Sequence, residues 1–149
     1  QVLRSFGRHG VERGEFSLPI EVQVKNGMVA VVDSMNFRVQ LFDRDGNFEA
    51  QIGASGDPGG GVYRPKGIGI DSEDHIYIVD GELGLVQVFD RRGQLLYRFG
   101  NGTSFGRFLL PAGLFIDRND RVYLVDSYNR RVQVFQYHAI QKTGTGAQR

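Results

Sequence analysis

The sequence predicts an all-β fold: a β-propeller of four-stranded antiparallel blades, with three blades in 149 residues. Three observations carry this. Asp126-Ser127-Tyr128-Asn129-Arg130-Arg131-Val132-Gln133-Val134-Phe135 has a close sister in Asp33-Ser34-Met35-Asn36-Phe37-Arg38-Val39-Gln40-Leu41-Phe42 and a worn copy running from Asp80 to Phe89. The three aspartates stand 47 and then 46 residues apart, a period typical of stacked or radial repeats. Between them lie apolar runs of about five residues, each bounded by turn residues, at four per period. Glycine, at 21 of 149 residues without a collagen period, supplies the turns such short strands need.

Each period reads as strands a, b, c and d. The chain opens on a d-type strand, Val2 to Phe6, which stops at Gly7; its sisters Phe48 to Ile52 and Leu95 to Phe99 stop at Gly53 and Gly100. Polar, glycine-rich connections follow (8–15, 54–62 and 101–107), each resolving into an aromatic shortly before proline: Phe16 with Pro19, Tyr63 with Pro65, Phe108 with Pro111. Proline suits a strand entry, where no ladder donor is yet required. The a strands are Ile20 to Val24, Gly67 to Ile70 and Gly113 to Ile116. Tight turns follow, the first containing Asn26-Gly27, a strong hairpin signal. The b strands, Met28 to Val32, His75 to Val79 and Arg121 to Val125, are nearly unbroken apolar runs, as expected when both faces are covered. The c strands carry Val-Gln-Val-Phe or its Leu variant; the first two close on Asp43-Arg44-Asp45-Gly46 and Asp90-Arg91-Arg92-Gly93. Residues 1–137 therefore form the blades, and 138–149 are expected to be a flexible tail.

Composition narrows the function classes. Eighteen basic against seventeen acidic side chains give no general attraction to nucleic acid or an anionic membrane. No apolar run approaches the ~20 residues of a membrane span. Zero cysteines exclude disulfides, thiolate metal sites and cysteine nucleophiles, and leave the compartment open. Gln1 is not an initiator methionine, so a processed product or an excised piece is expected.

The motif Asp-Ser-x-Asn-x-Arg-Val-Gln-Val-Phe, preceded by Pro-x-Gly-x-x-Ile-Asp and followed by Asp-x-x-Gly, resembles the NHL repeat over residues 2–137. The second copy departs from it, with Leu83 and Leu85 where Asn and Arg are expected. The resemblance implies a six-bladed propeller used as a binding platform; relatives known to bind RNA, and similar propellers that are metal-dependent hydrolases or lyases, supply the alternatives.

Three blades cannot close a ring, since propellers need about four to eight. The strand order d, abcd, abcd, abc splits one blade between the two ends, leaving an unpaired c-strand edge and two bare apolar faces. We expect a second copy to associate head to tail about a twofold axis, with Val2 to Phe6 of one chain pairing with Val132 to Phe135 of the other. The alternative is half of a longer six-repeat protein. Residues 16–62 carry net −3 and residues 108–149 net +3, which would set the register of the two-chain ring.

The repeated Asp33, Asp80 and Asp126 could ring a cation. The preferred reading is structural: each carboxylate accepts N–H bonds in the b-to-c turn and pairs with the arginine five residues on, Arg38 or Arg131. Asp43 to Glu49 has alternating oxygens around a glycine, yet its homologue at Asp90 replaces the second acid with arginine, so a hairpin turn is preferred to a calcium loop. His9, His75 and His138 lack zinc spacing, and Ser34 and Ser127 lack a nucleophile elbow. An enzyme centred on the channel would need acids or histidines on the a strands, which offer Ile20, Val22, Val24, Gly67, Gly69, Gly113 and Phe115, broken only by Glu21 and Gln23. No metal or cofactor is expected. The d-to-a and b-to-c connections emerge on one side, where such scaffolds place recognition. The candidate partner-binding residues there are Arg8, His9, Arg13, Met35, Asn36, Phe37, Tyr128, Asn129 and Arg130, a mixture of aromatic and arginine groups suited to a protein or peptide. A nucleic-acid partner is disfavoured, because Glu12, Asp57 and Glu82 interrupt any basic stripe.

Overall fold

The computed structural model describes residues 1–53, 61–100 and 107–136. Its strands are β1 (Pro19–Lys25), β2 (Met28–Asp33), β3 (Arg38–Phe42), β4 (Phe48–Ile52), β5 (Pro65–Ile70), β6 (Ile76–Asp80), β7 (Leu85–Phe89), β8 (Leu95–Phe99), β9 (Pro111–Ile116), β10 (Arg121–Asp126) and β11 (Arg131–Gln136). They form three antiparallel meanders, β1-β2-β3-β4, β5-β6-β7-β8 and β9-β10-β11. These are the a-to-d strands of two blades and the a-to-c strands of a third.

Each a strand begins at its proline, earlier than expected, because Pro19, Pro65 and Pro111 sit opposite Asp33, Asp80 and Asp126 across a register shift. The Asn26-Gly27 turn places both residues at positive φ, 47° and 84°, as a two-residue hairpin of this hand requires. A single 3₁₀ turn, Ser34–Asn36, is the one helical element among the described residues.

Alternation along the strands gives every blade a leading and a trailing face, and the core lies between blades. Met28, Ala30, Val32, Val39 and Leu41 on the trailing face of blade one pack on Ile68, Ile70, Ile76, Ile78 and Phe89 on the leading face of blade two. Tyr77, Val79, Val86 and Val88 of blade two then meet Leu114, Val122 and Leu124 of blade three. The a-strand side chains thus turn toward neighbouring blades, which corrects the expectation that they line the channel. A Cβ on Gly69 would collide with Leu114 and Ile116, so glycine lets blade three approach there. Glu21 is half-buried on the inner strand; burial raises its carboxyl, partly offset by a hydrogen bond from the Ile68 backbone.

Two faces stay open. The leading face of blade one exposes Val22 and Val24. The trailing face of blade three exposes Phe115, Val125, Val132 and Val134, so β10 alternates instead of being covered on both sides as expected.

Val2 to Phe6 forms no ladder, since no free c strand lies beside it among the described residues, which corrects the expected d-type strand. It is nevertheless docked. Arg4 reaches the Arg44 carbonyl and the Asp45 carboxylate, and the Phe6 ring lies 5.1 Å from Phe42, which Phe16 also touches at 5.7 Å. The same trio recurs as Phe99, Phe108 and Phe135, with Phe99 5.4 Å and Phe108 5.9 Å from Phe135. In blade two the place of Phe16 and Phe108 belongs to Val62, not to the expected Tyr63. A Cβ on Gly7, Gly53 or Gly100 would collide with Phe16, Val62 or Phe108 respectively, and all three glycines have positive φ. Phe6 therefore occupies the seat of a d strand belonging to the blade before blade one. Parts of the expected second and third connections, residues 54–60 with Asp57 and 101–106, and the expected tail at 138–149 with His138 lie outside the described residues.

Candidate binding face

The d-to-a connections and b-to-c turns share one edge of the fold, and a buried polar network holds them together. Asp33, Asp80 and Asp126 are fully buried. Asp33 Oδ1 accepts the N–H groups of Ser17 (2.9 Å) and Leu18 (3.2 Å), while Oδ2 accepts Asn36 Nδ2 (2.7 Å) and Arg38 Nε (3.1 Å). Asp126 repeats the arrangement with the Leu109 N–H, Asn129 Nδ2 and Arg131 Nε at 2.8, 2.8 and 2.9 Å. Burial tends to raise the Asp126 carboxyl, but these donors together hold it below its ordinary value. In blade two, where Asn and Arg are missing, backbone donors substitute: Asp80 accepts from Tyr63, Arg64, Glu82 and Leu83. The expected N–H bonds exist, but in blades one and three the backbone donors come from the incoming d-to-a segment and the b-to-c turn contributes only its Asn side chain; Asp80 alone also takes backbone N–H groups of its own turn.

Asn and Arg recur because they fasten that segment. Arg38 donates to the carbonyls of Val11, Glu12 and Glu15, Asn36 to that of Gly10, and Gln40 to that of Glu15. Asn129 does the same for Arg107 at 2.9 Å. A charge-assisted array of this kind fixes the loop against the sheet. The amides of Asn36 and Asn129 are therefore committed inside the molecule.

At the opposite edge Asp43, Asp71, Asp90 and Asp117 each accept the N–H groups two and four residues on. The Asp43 segment is a self-bonded hairpin turn, and its Asn47 side-chain and backbone donors lower the Asp43 carboxyl. Among the described residues no group of three or more His, Asp or Glu could hold a metal ion.

The remaining predicted residues stand outward. Met35, Phe37 and Tyr128 are 58%, 47% and 70% exposed. Arg8 is exposed and paired with Glu15 at 2.8 Å, Arg13 lies over the Phe48 ring, and His9 and Arg130 are exposed. Sequence reasoning missed Leu18, Tyr63, Arg64, Arg107, Leu109 and Leu110, all exposed beside the same turns. Their signal was register: each lies within four residues of a strand-opening proline.

Residues 12–98 match the model of a family described as a 6-bladed beta-propeller. The chain belongs to that family. Residues 108–135 of this propeller chain also match the NHL repeat, in the blade whose motif is most intact. Protein brain tumor of Drosophila melanogaster is 30% identical over 99 residues, covering 64% of this chain and 10% of its own length. RING finger protein nhl-1 of Caenorhabditis elegans is 39% identical over 64 residues, covering 42% of this chain and 7% of its own. The propeller chain thus spans about a tenth of these relatives. Among solved structures, virginiamycin B lyase from Staphylococcus aureus superposes with TM-score 0.55 at 13% identity, over 82% of this chain and 42% of that one. An auxiliary nutrient binding protein from Bacteroides thetaiotaomicron gives 0.58 at 17%, over 76% and 36%. At these identities the likeness is one of fold.

Proposed function

We propose that this half-ring is a non-enzymatic scaffold that binds a protein or peptide through the loop face. The observation that carries this is a division of labour. The repeated Asp, Asn and Arg groups are consumed in fixing the turns, and the side chains left over on those turns, Met35, Phe37, Tyr63 and Tyr128 among arginines, are large and exposed. Exposed aromatics and arginines on a rigid backbone form interface anchors at low ordering cost. The test offers the protein a random peptide library and a pool of single-stranded RNA oligonucleotides, and maps binding by amide exchange. Peptide binding with protection at residues 34–37 and 127–130 is expected. Protection elsewhere, or binding of RNA alone with a steep salt dependence, overturns the reading.

We further infer that a second copy completes the ring, its Val2 to Phe6 segment laddering onto β11. The open faces complement each other in size. The leading face of blade two carries four isoleucines, Ile68, Ile70, Ile76 and Ile78, and the inner strand of blade one opposite it carries Glu21 and Gln23. The inner strand of blade two has glycine at 67 and 69, against Leu114 and Ile116. The open trailing face of blade three has the bulky Phe115 and Tyr123, while the open leading face of blade one has only Val22, Val24, Val29 and Val31 at the four matching positions. Larger knobs opposite smaller ones are what interblade packing density demands.

A further inference from the structure

The three b-to-c turns each end on a left-handed residue and differ in what they display. The fourth residue after each buried aspartate is Phe37, Gly84 or Arg130, and all three are left-handed, with φ of 54°, 65° and 54°. Each closes its turn with its own N–H: Phe37 to the Ser34 carbonyl at 3.2 Å, Gly84 to Asp80 at 3.0 Å, Arg130 to Ser127 at 3.1 Å. Left-handed backbone is cheap for glycine and costly for phenylalanine or arginine. Gly84 shows that the turn forms without a side chain. Phe37 stays 47% exposed, and Arg130 makes no salt bridge among the described residues, so neither recovers the whole cost inside the molecule. A costly conformation with an incomplete internal return points to a use outside.

Two residues upstream on the same turns stand Met35, Glu82 and Tyr128, all exposed. The repeated Asp, and the Asn and Arg where present, are spent internally, so these paired positions are where blades differ outwardly: Met35 with Phe37, Glu82 with Gly84, Tyr128 with Arg130. Charge on this edge is biased toward basic. Exposed Arg8, Arg13, Arg64, Arg107 and Arg130 outnumber Glu12, Glu15 and Glu82, and Glu15 is already tied to Arg8.

We propose that Met35 with Phe37 and Tyr128 with Arg130 are the two reading positions of the loop face. Their occupant is an extended peptide that offers a bulky apolar side chain to blade one and an acidic side chain to blade three. Arg130, with Arg107 nearby, supplies the complementary charge, and Phe37 with Met35 an apolar anchor. RNA fits less well, because Glu12 and Glu82 break the basic run that a phosphate backbone would follow.

This inference rests on the loop face being the recognition surface, and the experiment separates the two. A phage-displayed library of random peptides of about a dozen residues is selected on the whole chain, and enriched peptides are titrated by fluorescence anisotropy against wild type, Phe37→Gly, Arg130→Gly and, at the opposite edge, Arg118→Ala. Enriched peptides should combine an aromatic or long aliphatic residue with Asp or Glu. Phe37→Gly and Arg130→Gly should each weaken binding by at least about tenfold. Their melting temperatures should hold or rise, since glycine relieves the left-handed strain, and Arg118→Ala should leave binding unchanged. If the peptides bind and Tyr63→Ala abolishes binding while both glycine variants stay within about twofold of wild type, the reading positions are wrong and the face survives. If no peptide is enriched, or a single-stranded RNA oligonucleotide binds instead, both fall.

Discussion

The buried aspartate is where a single residue decides most. Asp33 holds two backbone N–H groups and two side-chain donors with no solvent access, and its partner Arg38 is almost as deeply buried. Asp33→Asn should cost about 3 kcal/mol in urea unfolding, since removing one member of a buried pair strands the other. A change below about 1 kcal/mol would mean the array contributes little. Asp126 makes the same point through protons. Its folded pKa is lowered, so in acid the unfolded chain binds more protons than the folded one, and stability rises with pH in that range. The contribution is complete above the ordinary aspartate value near ~3.9 and is lost as pH falls through the lower folded value. Asp126→Asn should flatten the acid limb of stability against pH. Glu21 has the opposite sign: its folded pKa is raised, so its charged form costs stability as pH climbs past the ordinary glutamate value, and Glu21→Gln should hold or raise stability at pH 7.

Strands reveal how much could be read beforehand and why the rest could not. The period, the turns and the b and c strands were legible because each blade restates the same local rule: alternation, a polar stop, a turn residue with positive φ. The identity of the Asp33 donors was not, since Ser17 and Leu18 arrive from the preceding connection and only closure of the sheet brings them near. Val62 was overlooked because aromaticity is conspicuous at Tyr63, whereas counting back three from Pro65 lands on the valine that touches Gly53. On the candidate face, the exposed aromatics were readable from the repeat, but the internal commitment of Asn36 and Asn129 was not, because their acceptors lie on other segments. Gly69 tests the spacing of the inner strands. Gly69→Ala should destabilise by roughly 1–3 kcal/mol through collision with Leu114, and Leu114→Val should recover part of that loss in a double-mutant cycle.

For the whole molecule the decisive quantity is the number of blades that close. A solution mass near twice 16.7 kDa is expected from sedimentation or light scattering, and monomer at micromolar concentration would remove the second copy from the proposal. Phe115→Glu places a charge on a face already open in the single chain, with Phe115 59% exposed, so the blades should still fold. Assembly should weaken by at least about 2 kcal/mol, because that carboxylate would be desolvated against valines. Circular dichroism unchanged with the mass halved is the expected pair of results.

The berth of Phe6 has a kinetic corollary. Its ring packs against Phe42 of blade one while its main chain lies in no ladder, so the leading segment would serve as a latch shared by two bodies. Halves joined by such a latch part only after it peels away, and peeling must uncover Phe42. Mixing labelled and unlabelled rings should then show slow subunit exchange, and clipping the chain ahead of Gly7 should speed it sharply.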